Sequence, residues 1–470
     1  MTMKKFKIKY LLGLLLVFAG MGCEKVTTQV PESLITSSNF FKTASDADIA
    51  INGCYDALQK NALNYIIWGD GRTDVFANTD RTLSDDLQVT SGNVGSGSGY
   101  VNWNSLYQGI NRVNGVLKNV PGITDPGLTA RKERILGEAY FLRGLFYFYL
   151  VRTFEKVPLL LESFEGLGGE LFPKQKTREE VFTQIELDLK AAEARVPDLP
   201  FATAIENKGR ATKGAIRSTL ADLYLWQKRY VEAAEMARLV IASPANYSLV
   251  LGNRYATIFI DKNSSESIFE IQYNFTYQEG DENQLTDLFL PLGQVYTAGN
   301  WRFQPSPAVL SALPASDLRT AGTYRNSGPT PAPYRDPNQT YVLKYPGTLS
   351  NNILRKDANR IVYRLSEIIL FRAEALNEQG LTPDAITLLN QVRVRANIGV
   401  TLATLQGDVR LEIEKERLRE LVYEGKRYYD LIRTGRYATV TGNTNPNWLR
   451  WPIPAQELID NPNLVPNPGY

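Results

Sequence analysis

The sequence predicts a mainly α-helical fold in which helical hairpins form a scaffold, with long loop-rich insertions and a few short strands. Three observations support this. Apolar residues recur at the period of an α-helix, two segments look like copies of one hairpin, and Gly-, Pro- and Asn-rich stretches separate the helical blocks. With 43% hydrophobic and 22% charged residues, the composition is that of a globular protein.

The amino terminus has the features of a secretory signal. A lysine-rich start precedes an apolar run at 11–19, which is too short to span a membrane. The residues leading to Cys23 resemble a bacterial lipobox, although Gly20 stands where leucine is usual. We therefore expect residues 1–22 to be a lipoprotein signal peptide and Cys23 to be lipidated, tethering a single domain of residues 23–470. A cleaved signal without a lipid is the alternative.

Helical periodicity predicts a scaffold over about 40–66, 102–242 and 359–435. One of its helices begins at a capping box, because Thr177 and Glu180 have the required spacing. These amphipathic helices each need a partner to cover the apolar face.

Two later segments resemble one repeated unit. Ala221 and Ala233 in the first, and Ala373 and Ala385 in the second, are spaced alike and allow two helices to approach closely. The sequence at 382–383, Thr-Pro, suits an N-cap followed by a first-turn residue. The pattern predicts tetratricopeptide-like hairpins, and two unrelated hairpins remain the alternative.

The last long helix is predicted over about 409–434. On one face it carries Arg417, Glu420, Glu424 and Arg427. An acid/base pair is one interpretation, but a structural ion network is favoured because each carboxylate has an adjacent guanidinium group.

Several residues are predicted to pack internally. Cys54, Trp103 and Trp226 lie on apolar helical stripes, and Trp448 and Trp451 are expected to pack against the last helix.

Composition narrows the function. The chain has no histidine, the usual general base for a nucleophile and the commonest zinc ligand, but it has six tryptophans and 25 tyrosines. A net charge of +2 gives no field that would attract nucleic acid. We expect a binding protein for a neutral or mixed-charge ligand, with no cofactor and no resident metal.

Two loop regions, about 67–101 and 243–358, combine aromatic rings with polar side chains, as a sugar site requires. The predicted ligand-binding residues are Trp68, Asp70, Arg72, Asp74, Asn78, Tyr100, Tyr273, Tyr296, Asn300, Trp301, Arg302 and Tyr324. Trp301 is the strongest candidate, because it has polar neighbours and lies on no helical stripe. Short strands are predicted at 267–273 and 340–345.

Other interpretations of these loops stay open. Trp68 could pack within its loop, and Asp70, Asp74 and Asp80 could bind calcium, although no EF-hand spacing follows. Tyr277 belongs to the same aromatic group as the predicted residues.

Several blocks, taken in order, resemble the SusD/RagB family. They are Phe40-Phe41-Lys42-Thr43, Trp103-Asn104-Ser105-Leu106-Tyr107, 138–149 with Val157-Pro158-Leu159, 416–435, Trp451-Pro452-Ile453-Pro454 and Asn467-Pro468-Gly469-Tyr470. The resemblance spans nearly the whole mature chain. Glu155 and Lys156 replace the glycine usual before Val157, and Gly144 replaces an alanine.

The resemblance implies a lipoprotein anchored in the outer membrane and facing the cell exterior. Its tetratricopeptide-like scaffold would support a loop-built binding face. It would capture oligosaccharides without cleaving them and deliver them to a SusC-like TonB-dependent transporter. Two alternatives remain: a peptide-binding member of the same family, and a glycosidase with two carboxylates. Buried loop rings together with an open helical face would favour the peptide-binding alternative.

Overall fold

A computed structural model describes residues 40–164, 170–276, 282–291, 299–325, 339–351 and 353–470. Contacts divide the chain into two units, Met1–Lys42 and Thr43–Tyr470, and the second contains all the elements named below. The helices of the first half are α1 Ala44–Gln59, α2 Ala62–Asp70, α3 Ser84–Ser91, α4 Asn104–Asn119, α5 Lys132–Phe154, α6 Arg178–Arg195, α7 Ala204–Gly209, α8 Lys213–Trp226 and α9 Tyr230–Ile241. The remaining helices are α10 Thr257–Ile260, α11 Leu285–Phe289, α12 Pro307–Ala312, α13 Thr320–Thr323, α14 Leu365–Glu378, α15 Thr382–Arg395, α16 Gln406–Leu421, α17 Arg427–Arg433, α18 Tyr437–Thr441 and α19 Ala455–Asp460.

The long helices pack as a continuous array. Helix α1 packs on α4, α4 on α5, and α5 on α6; α8 then joins α6 to α9, and α9 packs on α14. Helices α15 and α16 both pack against α14 and close this end of the array. The array confirms the mainly helical fold that the periodicity predicts.

The two predicted repeat units are the hairpins α8–α9 and α14–α15. The four alanines at 221, 233, 373 and 385 are wholly buried, where their small side chains let the helices approach. Thr177 and Glu180 form the predicted capping box of α6. The prediction for Thr382 is wrong by one position, because Leu381 is the N-cap and Thr382 is the first helical residue. The Thr382 hydroxyl instead donates to Oδ1 of Asn377 at 3.1 Å.

The strands are β1 Phe76–Asn78, β2 Val157–Pro158, β3 Gln175–Lys176, β4 Ser267–Ile271, β5 Phe303–Pro305, β6 Tyr324–Arg325, β7 Tyr341–Val342, β8 Thr348–Ser350, β9 Ile353–Arg355 and β10 Arg360–Arg364. Within the described residues they form antiparallel pairs: β1 with β5, β4 with β10, β2 with β3, β6 with β7, and β8 with β9. Strands β4 and β7 confirm the two strands predicted from alternation.

The predicted last helix is interrupted. Helix α16 ends at Leu421 and α17 begins at Arg427, while Tyr423 and Gly425 have positive φ angles of 68° and 73°. The break lets Gly425 approach α2 closely, since a Cβ on Gly69 would lie 2.0 Å from the Gly425 carbonyl oxygen. The prediction of a single helix is wrong. The helical periodicity continues across the break, but the close contact between Gly425 and α2 interrupts the helix.

The four charged residues predicted as an ion network are all in ion pairs, but with partners from other elements. Glu420 contacts Arg319, Arg364 and Arg395, and Glu424 contacts Arg364 and Lys344. Burial opposes ionisation of Glu420, yet the guanidinium groups of Arg395, Arg364 and Arg319 hold its pKa well below the usual range. This is a structural network, as predicted, although the four residues do not pair with one another as the single helix face implied.

Cys54 and three of the tryptophans have the internal positions that were predicted. Cys54, Trp103 and Trp451 are buried, and the half-buried Trp226 contacts the rings of Phe148, Phe182 and Tyr429. Burial raises the pKa of the Cys54 thiol to about 12, so the thiol is unreactive at neutral pH. None of the described helices combines the length and the apolar character that a membrane span requires.

Candidate functional site

The two predicted loop regions meet in one surface. Strand β1 of the first region pairs with β5 of the second, so that Ala77 lies opposite Gln304. Beyond the strands, the Thr79 hydroxyl donates to the carbonyl of Trp301 at 2.6 Å, and the Thr82 hydroxyl donates to the carbonyl of Arg302 at 2.7 Å. We call this surface, around Trp301, the loop face.

Trp301 is held in an unusual backbone conformation. Its φ is 46°, the left-handed region that costs a non-glycine residue about 1–2 kcal/mol. The indole Nε1 donates to the Thr340 carbonyl at 2.9 Å, and the backbone N–H donates to the Leu290 carbonyl at 2.9 Å. The residue is half-buried, so part of it is open to solvent while these hydrogen bonds hold it in place. Strain of this kind is often found where a side chain must be presented for function.

Polar side chains surround this position. Asn300 and Asn78 are exposed, and Asn78 Oδ1 accepts from the Thr90 hydroxyl at 3.0 Å. Gln304 is half-buried and donates through Nε2 to the Asn78 carbonyl at 3.1 Å. Asn78, Asn300 and Trp301 lie on the loop face and therefore remain predicted ligand contacts.

A buried ion pair supports the loop face from beneath. Arg302 Nε donates to Asp86 Oδ2 at 2.7 Å, and the Tyr100 hydroxyl bonds to both side chains. Burial, and then the Asp86 carboxylate, raise the pKa of Tyr100. Tyr100 and Arg302 are thus internal to the fold, and their prediction as ligand contacts is wrong. Their role is to fix the loop that carries Trp301.

Trp68 is not an exposed aromatic surface. Helix α2 extends through Asp70, beyond the predicted boundary at 66, and turns Trp68 into the core. Its indole donates to the Tyr100 carbonyl at 2.8 Å, and its ring packs edge-to-face with Phe154 at 5.5 Å. The ligand-binding prediction is wrong, and the packing alternative describes Trp68 correctly.

Asp70 and Arg72 are also structural, so predicting them as ligand contacts is wrong. Asp70 accepts from the backbone N–H groups of Gly425, Lys426 and Arg427 at 2.8, 3.1 and 3.1 Å and thereby caps α17. Burial raises the pKa of Asp70 to about 6, against these hydrogen bonds, which favour the carboxylate.

Arg72 is 2% exposed and lies over the rings of Trp448 and Trp451. It donates to the Arg450 carbonyl at 2.8 Å and to the Tyr470 hydroxyl at 2.9 Å. These contacts attach the carboxy-terminal tail to the first loop region, so Trp448 and Trp451 pack against Arg72.

Two of the tyrosines predicted as ligand contacts in the second loop region, Tyr273 and Tyr324, are buried. The Tyr273 hydroxyl donates to the Gln59 carbonyl at 2.5 Å, and the Tyr324 hydroxyl donates to the Leu313 carbonyl at 2.9 Å. Because neither ring is open to a ligand, these two predictions are wrong. Asp74 is half-buried, and both its oxygens accept from Arg427 at 3.0 Å. A ligand would therefore compete with Arg427 for this carboxylate.

Three of the candidate functional residues lie outside the described part of the chain: Cys23, Tyr277 and Tyr296. Among the described residues, no group of three or more cysteine, aspartate or glutamate side chains is placed to hold a metal ion. The calcium alternative lacks support, because Asp70 and Asp74 are occupied by hydrogen bonds within the protein.

Sequence reasoning missed Asp86, Thr79 and Thr82, which connect the two loop regions, and Gln304 on the loop face. The polar Gln304 follows the buried Phe303 in a short strand, and this alternation was a usable signal. No local pattern marked Asp86, because its partner Arg302 is distant in sequence.

The helical array has its own cavity of about 360 Å³ between α8, α9, α14, α16 and α17. Its lining is strongly charged, but the carboxylates are paired with arginines. Arg433 binds Glu374, Arg410 binds Glu378 at 2.6 Å, and Arg436 binds Glu414 at 2.9 Å. A ligand of this cavity would have to compete with these ion pairs.

Two family models match the chain. One is described as the SusD family and matches residues 270–470; the other is described as starch-binding associating with outer membrane and matches residues 48–225. The chain is 27% identical to SusD-like protein P38 of Formosa agariphila over 522 residues, with 100% of both chains covered. It is 25% identical to the starch-binding protein SusD of Bacteroides thetaiotaomicron, over 77% of this chain and 76% of that one.

Solved structures of SusD-like proteins have the same fold as this chain. A solved laminarin-binding SusD-like protein superposes with a TM-score of 0.78 at 26% identity, covering 92% of this chain and 100% of that one. A SusD superfamily protein from Bacteroides vulgatus superposes with a TM-score of 0.79 at 21% identity and shares the fold. The predicted helical architecture and the resemblance in sequence are both confirmed by these matches.

Proposed function

Because the chain belongs to the SusD/RagB family, we propose that it is a non-catalytic cell-surface lipoprotein that captures oligosaccharides for a partner TonB-dependent outer-membrane transporter. The observation that carries this proposal is Trp301, a half-buried indole in a left-handed backbone conformation, held by a hydrogen bond to Thr340. Relatives whose names refer to starch and laminarin support a glycan as the ligand.

The loop face has the chemistry that a neutral sugar needs. The C–H face of a pyranose ring packs on an indole, while its hydroxyls both donate and accept hydrogen bonds. The amides of Asn78, Asn300 and Gln304 can do both. Since amides carry no charge, the site favours a neutral glycan over an anionic one.

Three carboxylates of this region are paired within the protein, which argues against a glycosidase that would use them. A glycosidase needs two carboxyl groups that can reach the scissile bond. Here Asp86 is buried against Arg302, Asp74 is paired with Arg427, and Asp287 is paired with Lys356 at 2.6 Å. Prolonged incubation with an oligosaccharide should release no reducing ends.

Lipidation of Cys23 completes the proposal. Two or three acyl chains would hold the protein on a membrane without a spanning helix. In a lipid-labelling experiment, an alkyne-tagged fatty acid should label the intact chain and leave Cys23→Ser unlabelled. A Cys23→Ser protein that still carries the label would contradict the anchor.

Calorimetry across a panel of neutral oligosaccharides tests the ligand. Trp301→Ala should weaken binding at least tenfold while the protein remains folded, because the apolar ring face is lost. Trp301→Phe should retain part of the affinity, and Leu402→Ala, at a surface residue that is 91% exposed, should retain all of it. Unchanged affinity in Trp301→Ala would refute the loop face as the site.

Peptide binding, as in a RagB-like member, is the second candidate. It is favoured by the burial of Tyr100, Tyr273 and Tyr324 together with the cavity in the helical array. If peptides bind while the glycan panel gives no signal, this candidate replaces the first. Glu378→Gln should then change peptide affinity, whereas Trp301→Ala should not.

A further inference from the structure

A second groove, of about 760 Å³, runs along α4. Its other wall consists of residues 158–164 and 170–173, with α19 and Leu464 at one end. Much of the lining is apolar, including Ile110, Leu161, Phe164 and Leu171. Leu161, Phe164 and Leu171 are each exposed by 41% or more. Large apolar side chains that are exposed close together often mark a surface that a ligand or partner covers. We call this the α4 groove.

Hydrogen bonds fix its walls. Asn114 Nδ2 donates to the carbonyls of Leu160 and Glu162 at 3.0 Å, and the Tyr107 hydroxyl donates to the Pro158 carbonyl at 2.7 Å. Arg143 holds Asn114 in turn, because its Nη1 donates to Asn114 Oδ1 at 2.9 Å. The groove is therefore formed before any ligand arrives, which lowers the entropic cost of binding.

The charge of the α4 groove differs from that of the rest of the protein. Glu162, Glu170, Glu457 and Asp460 line it, and none of them forms an ion pair with a residue that the structure describes. Lys118 is the one basic residue of the lining within the same ranges. By contrast, the carboxylates of the helical cavity are paired with arginines.

Glu457 is a carboxylate of the groove that has no ion-pair partner among the described residues. It is half-buried, and its carboxylate accepts from the indole of Trp103. Burial raises the pKa of Glu457, with the hydrogen bond from Trp103 acting in the other direction. A cation placed in the groove would favour the ionised carboxylate, so binding of a cation and ionisation of Glu457 would support each other.

We propose that the α4 groove binds a peptide segment of a partner protein in which lysine or arginine side chains alternate with apolar ones. The apolar side chains would cover Leu161, Phe164 and Leu171, and the basic ones would pair with the four carboxylates. This complementarity of charge separates the groove from the loop face, where the proposed polar contacts are amides.

Other occupants fit less well. The chain's own residues 24–39 contain two glutamates and one lysine, so their net charge of −1 has the same sign as the acidic groove and is not attracted to it. A neutral glycan would leave the unpaired carboxylates without cations. A second copy of the chain would have to present a basic apolar segment of its own.

Fluorescence polarisation with a labelled octapeptide that alternates lysine with leucine and proline tests the proposal. We expect it to bind at least tenfold more tightly than the same peptide with glutamate in place of lysine, and more weakly at 300 mM than at 50 mM salt. Glu162→Gln/Asp460→Asn should weaken binding at least fivefold. The matched control Glu133→Gln/Glu179→Gln, on the exposed surfaces of α5 and α6, should bind as the unaltered chain does.

Leu171→Ser, at an exposed position, tests the apolar part and should also weaken binding with no change in melting temperature. Equal binding of the acidic peptide, or full affinity in the Glu162→Gln/Asp460→Asn variant, would overturn the proposal. Competition by a neutral oligosaccharide, or dimerisation abolished by the same variant, would also overturn it and assign the groove to that occupant. Glycan affinity at the loop face should be unaffected by these variants, so the two proposals fail separately.

Discussion

The ion network around α16 and the loop face around Trp301 use polar groups in opposite ways. In the network, Arg319, Arg364 and Glu420 are wholly buried, and each guanidinium group contacts two or more carboxylates. At the loop face the charged Arg302 and Asp86 are buried, while Asn78 and Asn300 are exposed and Trp301 is half-buried. The comparison teaches that in these two regions charge holds elements together, whereas the proposed glycan contacts are uncharged.

Substitution in the ion network is expected to lower the free energy of unfolding more than any other change considered. Arg364→Ala leaves Glu266, Glu420 and Glu424 without their shared partner, and loss of one partner of a buried ion pair costs about 3–5 kcal/mol. Urea unfolding should show this loss or a failure to fold. The control Arg238→Ala removes the exposed pair with Glu235 and should leave the unfolding midpoint unchanged. Similar midpoints for both variants would contradict the structural role of the network.

The next effect concerns an aromatic residue that was predicted to face the ligand. Trp68→Ala should lower the free energy of unfolding by about 3–4 kcal/mol, because it leaves a cavity between Tyr65 and Phe154. Thermal or urea unfolding measures the loss. A stable Trp68→Ala variant with reduced glycan affinity would return Trp68 to the binding surface and weaken the contrast between the two regions.

A smaller effect should depend on pH. Burial opposes ionisation of Asp430, but Arg417 and Arg433 lower its pKa to about 2. Because the pKa is lower in the folded state than in the unfolded state, the carboxylate contributes stability above about pH 4 that is lost as the pH falls towards 2. The advantage of the unaltered chain over Asp430→Asn, about 2 kcal/mol at neutral pH, should shrink across this interval. A constant difference would show that Asp430 is not stabilised by its charge.

The smallest effect tests the backbone of the loop face. Glycine adopts a φ of 46° without the steric cost that alanine and tryptophan carry. Trp301→Gly should therefore be more stable than Trp301→Ala by about 1 kcal/mol, although both lose the ring. Chemical unfolding of the two variants measures the difference. If Trp301→Ala is the more stable of the two, the left-handed conformation is not a source of strain.

The failures among the predicted site residues have one physical origin. Trp68, Asp70, Arg72, Tyr100, Tyr273, Arg302 and Tyr324 lie in or beside segments that read as loops, and loops are usually exposed. Their partners are distant in sequence; Arg72, for instance, binds Arg450 and Tyr470. No local pattern distinguishes a polar loop residue that binds a ligand from one that binds another loop.

The sequence by itself determined the helical scaffold, the repeated hairpins, the family and the burial of Cys54. The scaffold, the hairpins and the burial of Cys54 depend on periodicity, spacing and composition, which are local properties of the chain. The family follows from the ordered blocks that resemble SusD/RagB. Only the tertiary structure decided that α16 and α17 are separate, that Asp70 caps α17, and that β1 and β5 unite the two loop regions. Those outcomes rest on contacts between distant segments, where a buried polar group must find its partner wherever the fold places one.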